Sequence, residues 1–149
     1  MTCTDLGTYE NNDEEIAIPV NLKGANLKGA NLTCANLQGA ILEDIETDYQ
    51  TIGLDPVCPM EGSFIAYKWV DNRCIVLEIP ADAKRVSGTT SKCRCDKAKV
   101  LRIENLNGTL AEENEVKEFK LGEIVSVENF DEDRWNIDGE GITFFISKD

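Results

Sequence analysis

Between residues 21 and 39 the chain reads NLKGANLKGANLTCANLQG, a pattern that repeats every five residues. Leu22, Leu27, Leu32 and Leu37 keep step, and Ala25, Ala30 and Ala35 each stand two places before a Leu. The register runs from Val20-Asn21-Leu22 to Ala40-Ile41-Leu42. A period of five matches neither an α-helix of about 3.6 residues per turn nor a coiled coil of about 3.5. Gly24, Gly29 and Gly39 would also cost ~1 kcal/mol each inside a helix. So short a period belongs to a solenoid, in which each unit buries its inner side chains against the next. Leu is expected to fill the centre and Ala the tight corner. Asn and Gly suit the turns, through side-chain-to-backbone bonds and a permissive φ.

The pattern A-(D/N)-L-x-x over residues 20–44 resembles the pentapeptide-repeat family. That resemblance implies a right-handed square β-helix with four pentapeptides per coil. Five units make about one coil, which cannot bury both of its faces alone. The expectation is a short collar packed on something else.

That something is expected downstream. SFIAYKWV (63–70) and RCIVLEI (73–79) are β-branched and aromatic runs separated by Asp71-Asn72, a hairpin signal. AKVLRIE (98–104), GEIVSVENF (122–130) and GITFFIS (141–147) read as further strands. TLAEENEVKEFKL (109–121) fits either a helical turn or two, or an acidic loop followed by a strand. EDIETDYQTIGLDPVCPMEG is read as a connection only. The expected organisation is an acidic N-terminal segment over 1–19 that becomes ordered at Ile16, a collar over 20–44 and a β-rich domain over 57–149. Together they form one mainly β unit.

CPMEGSFIAYKWV, LEIPADAKRVSGTTSKCRCDKAKVL, FDEDRWN and GITFFIS together resemble the C-terminal domain of certain phage and bacterial pentapeptide-repeat proteins. That domain has no established function. The resemblance implies a phage or bacterial origin. Family members read G-I-H-F-F near the end, where this chain has Thr143, and they continue beyond that strand.

Charge divides the chain. The net charge is −13, yet residues 63–102 hold 9 cations against 4 acids. Lys84, Arg85, Lys92, Arg94, Lys97, Lys99 and Arg102 supply 7 of the 15 cations. Ser87-Gly88-Thr89-Thr90-Ser91 lies among them. Guanidinium and ammonium groups bind phosphates or carboxylates, and hydroxyls with loop amides complete an anion shell. The candidate ligand-binding residues are therefore Lys84, Arg85, Ser87, Thr89, Thr90, Lys92 and Arg94. The bland alternative is that these cations only neutralise the acids around them. No Walker loop is present.

Other chemistry is weakly signalled. The chain has no His, which removes the commonest general base and the usual triads, so no catalytic residue is assigned. Cys58, Cys74, Cys93 and Cys95 could in principle bind zinc, but no C-x-x-C pair occurs, and neither metal nor cofactor is expected. The first 15 residues lack a basic and an apolar signal region, and no apolar run reaches ~18 residues. A cytoplasmic protein with six reduced cysteines is expected, in the host cell if phage-encoded.

These observations lead to a non-enzymatic binding protein that captures a small anionic or nucleotide-type ligand, as a sponge against host defence signalling. Two alternatives stay open. One is an acidic inhibitor or scaffold that binds a host protein by mimicking DNA. The other is a structural module of an oligomer. A homo-oligomer is expected under all three, with no membrane partner and no direct nucleic-acid binding. Convergence of the seven cations on a concave pocket favours the first; scatter favours the others.

Overall fold

The computed structural model describes residues 8–11, 14–17 and 19–148. Where the sequence suggested an unstructured acidic start, β1 (Thr8–Asn11) and β2 (Glu14–Ala17) pair antiparallel.

In the repeats, each Asn Oδ1 accepts the amide two residues on: Asn21 from Lys23, Asn26 from Lys28, Asn31 from Thr33 and Asn36 from Gln38. Each Leu carbonyl then accepts the amide three residues on, from Leu22 O to Ala25 N through to Leu37 O to Ala40 N. The residue before each of those alanines takes a left-handed φ: 72° at Gly24, 73° at Gly29, 68° at Cys34 and 71° at Gly39. Glycine adopts that φ freely, which explains the repeat's x-Gly; Cys34 is held there at a conformational cost. The asparagines thus precede the turns and do not occupy them, Asn21, Asn26 and Asn31 from bridge positions.

Parallel bridges join Asn21 to Ile41, Asn26 to Glu46 and Asn31 to Ile52. Residues read as mere connection therefore lie over the first repeats. Asp48 takes up the asparagine role, its Oδ1 accepting from Gln50 N and from Gly29 N across the layers. With so few layers the leucines are unequal. Leu37 is 3% exposed, whereas Leu22, Leu27 and Leu32 are half-buried.

The rest is a β-rich unit. β3 (Phe64–Val70) and β4 (Arg73–Ile79) form a hairpin whose turn, Asp71-Asn72, has φ of 49° and 63°. Two left-handed residues match the right-handed twist of the strands. β5 (Arg85–Ser87), β6 (Cys93–Cys95) and β7 (Lys97–Glu104) follow, then a two-residue pair, β8 (Glu115–Val116) with β9 (Phe119–Lys120). That small hairpin replaces the helical reading of 109–121. β10 (Ile124–Ser126) and β11 (Ile142–Phe144) are shorter than the runs that announced them. No helix occurs among the described residues, and none is long and apolar enough to cross a membrane.

The sheets run β10-β7-β4-β3 and β11-β6-β5. Asp96 alone separates β6 from β7, and Tyr67 in β3 exchanges two backbone bonds with Phe145, just after β11. Strand pairing, with the chain link at Asp96 between β7 and β6, therefore closes a circuit from β3 through β4, β7 and β6 to β11 and back. Ala66, Ile75, Leu77, Ile79, Cys93, Cys95, Ala98, Val100 and Phe144 pack inside it.

Candidate functional site

The seven cations scatter. Lys84 is exposed, 4.0 Å from Glu132; Lys92 lies 4.0 Å from Asp138; Lys97 and Arg102 pair with Asp82 and Glu104. Arg85 and Arg94 are buried, at 6% and 3% exposure. Arg85 donates to the carbonyls of Pro59, Gly62, Pro80, Ala81 and Ala83 and lies over the Phe64 ring. Arg94 donates to the carbonyls of Asp131, Asp133, Asn136 and Glu140. Both sit in β-strands whose neighbouring loops lack a ladder partner, and the forked guanidinium supplies the missing donors. The expectation that these two arginines face a ligand is corrected accordingly.

The hydroxyl run has a different fate. Ser87 is buried and its Oγ accepts from Val57 N at 3.0 Å. Thr89 plugs into the repeats: its carbonyl accepts from Cys34 N at 3.0 Å and its Oγ1 donates to Ala35 O at 2.5 Å. Arg134 closes the same junction, donating to Ser87 O and Leu54 O and stacking on Trp135 at 4.2 Å.

This junction encloses a cleft of about 330 Å³. Thr33, Cys34 and Gly53 form its repeat side, Asp55 and Val57 one wall, and the backbone and hydroxyls of Gly88–Ser91 the other. Of the seven candidate residues the cleft gathers Thr89 and Thr90; Lys84, Arg85, Ser87, Lys92 and Arg94 stand outside its lining. No cation lines it, and the Asp55 carboxylate is its charged group. Its repeat-side residues went unnoticed in the sequence. The visible signal was Cys34, which interrupts the glycines at the left-handed position.

The cysteines divide as well. Cys34 is disulfide-bonded, while Cys58, Cys74, Cys93 and Cys95 are free and buried. The expectation of six reduced thiols rested on an inferred compartment, and the disulfide at Cys34 corrects it there. Among the described residues no group of three metal-ligating side chains is arranged to hold an ion.

Comparison with known families agrees with this two-part architecture. Residues 20–45 match the model for pentapeptide repeats, and residues 54–149 match a family of unknown function, DUF5758. This chain belongs to the DUF5758 family. Its repeats followed by that domain are the arrangement the two sequence resemblances pointed to. No curated protein and no solved structure matches the chain.

Proposed function

We propose that this DUF5758 protein is a non-enzymatic binding protein whose ligand site is the cleft between the repeats and the β-rich unit. The observation that carries the reading is the lining: hydroxyls and backbone from Gly88–Ser91 face Thr33 and Asp55 across about 330 Å³. That volume is at the low end of small-molecule sites, which span ~300–1,000 Å³. A lining that carries a carboxylate and no cation disfavours phosphate and suits a small ligand rich in hydroxyl or amine donors, with the Arg134 charge acting on Asp55 from outside the lining. The nucleotide-type ligand and the sponge role expected from the basic segment lose their main support, since none of its cations lines the cleft. We also read the repeats as the first layers of a pentapeptide β-helix, because bridges recur at offsets of 20 to 21 residues.

Calorimetric titration tests the site with a panel of amino sugars, polyols, small amines and nucleotides. Binding by an amine or polyol, weakened about ten-fold or more by Asp55→Asn or Ser91→Ala, is the expected result, equivalent to ~1.4 kcal/mol or more. Binding by nucleotides alone, or no binding across the panel, overturns it. The second reading is an acidic scaffold for a basic partner protein. It is favoured by the net charge of −13 and by the pairing of Lys84, Lys92, Lys97 and Arg102 with acids of the same chain, which leaves these cations little reach toward a partner.

A further inference from the structure

We propose that the recess under the 131–140 loop is a binding site for a single halide ion, with chloride as its ordinary occupant. Val86 and Arg94 are directly opposed across β5 and β6, so their side chains share a face. Lys92, two places before Arg94, falls on that face by alternation. Arg94 draws the loop over it through the carbonyls of Asp131, Asp133, Asn136 and Glu140. The loop brings Arg134 and Ile137 with it, and the space closed with Val86 and Gly88 is about 10 Å³. That is room for one water-sized species, which excludes phosphate, sulfate and nucleotides.

The lining is cationic and rich in unspent donors. Lys92, Arg94 and Arg134 belong to it, and no carboxylate does. Arg94 gives its four terminal N–H bonds to the loop carbonyls, which leaves Nε–H. Arg134 gives Nε to Ser87 O and Nη2 to Leu54 O, which leaves Nη1. Lys92 Nζ stands 4.0 Å from Asp138, beyond hydrogen-bond reach. Among the described residues these three donor groups have no acceptor. Asp138, Asp131 beside Arg94, and Asp55 beside Arg134 offset charge from outside the lining without placing an oxygen in it.

Donors of this kind select the occupant. Water accepts two hydrogen bonds but must also donate two, and the recess offers it no carboxylate to receive them. A halide accepts from every side and donates nothing. It also supplies negative charge where charge is costly to hold, since Arg94 is 3% exposed. Arg94 therefore faces no organic ligand, yet it has one N–H for a monatomic ion. The bound ion ties β6 to the 131–140 loop. Gly88 is a wall shared with the cleft, but the halide site stands independently of whether the cleft takes a ligand.

The test is thermal melting of the intact protein at constant ionic strength, with chloride replaced stepwise by gluconate, which is too large for the recess. The melting temperature is expected to rise with the logarithm of chloride concentration once the site fills, and bromide should act likewise. Chlorine NMR reads the site directly: the folded protein should broaden the chloride signal, and bromide should narrow it again by competition. Lys92 is partly exposed at the rim, so Lys92→Gln should fold while weakening chloride binding about ten-fold or more through the lost charge-assisted donor. Lys84→Gln, outside the recess, should bind chloride as the parent does. Equal melting in chloride and gluconate overturns the proposal. So does a chloride signal that stays sharp, or a chloride dependence that Lys92→Gln leaves intact. Should Lys92→Gln not fold, the line widths and melting of the parent decide.

Discussion

Arg94 shows how a single residue can organise a loop that has no secondary structure of its own. Its guanidinium satisfies four carbonyls between Asp131 and Glu140 at 2.7–3.0 Å, and its plane lies over Phe130. Truncating it leaves those acceptors without their donor in a buried site. Arg94→Ala is therefore expected to cost about 3–5 kcal/mol, the range for breaking a buried charged network. Arg94→Lys should recover little of this, because an ammonium cannot reproduce the planar fork. Lys84→Ala should leave stability within ~0.5 kcal/mol, since its side chain is exposed and its ion pair long. Urea melts of the three variants check the contrast; equal effects at Arg94 and Lys84 would remove the structural assignment of Arg94.

Among elements, the repeats and the C-terminal residues 145–148 each carry a test. Leu37 is the buried repeat leucine, so Leu37→Ala should cost about 2–5 kcal/mol, and half-buried Leu27→Ala clearly less. Equal losses would mean that the layers bury their leucines evenly. At the other end, the Trp69 indole donates to Lys148 O, and Lys148 Nζ reaches the buried Glu104 at 2.6 Å. The Lys148 hydrogen bond and the Arg102 charge outweigh burial and hold the Glu104 carboxyl below its ordinary range. A depressed carboxyl stabilises the fold above its unfolded pKa of about 4.3 and stops doing so as pH falls through the folded value. The parent should therefore lose stability below about pH 4 more steeply than Glu104→Gln. Parallel pH profiles of the two would refute the latch. Legibility follows the same division. The repeat over 20–42 was readable because its period reports buried positions locally, and 64–70 and 73–79 because β-branched and aromatic runs flank a two-residue turn. β5 and β6 were not, because RVS and CRC are too short to show a period. The arginines in them looked like surface charge, since sequence does not show which carbonyls a fold leaves unpaired. The cleft was half legible for a related reason. Its hydroxyl run is local, but Thr33, Cys34 and Asp55 reach it only when the repeats dock.

At the scale of the molecule, that docking decides whether the chain behaves as one body. Thr89 bonds to Cys34 and Ala35, Val57 to Ser87, and Arg134 spans Ser87 and Leu54. These bonds flank Gly88, where a Cβ would stand 2.8 Å from Arg134 O. That neighbour is backbone and cannot swing aside, so Gly88→Ala must displace either the 131–136 loop or the hydroxyl run. Overpacking of this kind costs ~1–3 kcal/mol, about 2–10 °C in a chain of this size. Thr89→Val attacks the same junction differently, keeping shape while leaving Ala35 O without its hydroxyl, at ~1–3 kcal/mol. Thr89→Ser should restore most of that. Scanning calorimetry of the parent should show one transition. Gly88→Ala and Thr89→Val should lower it, and the double variant should separate melting of the repeats from melting of the β-rich unit. Because both changes act on one contact, their combined loss should fall short of the sum. Two transitions in the parent, or strict additivity in the double variant, would show that the repeats and the β-rich unit are not joined through Gly88 and Thr89.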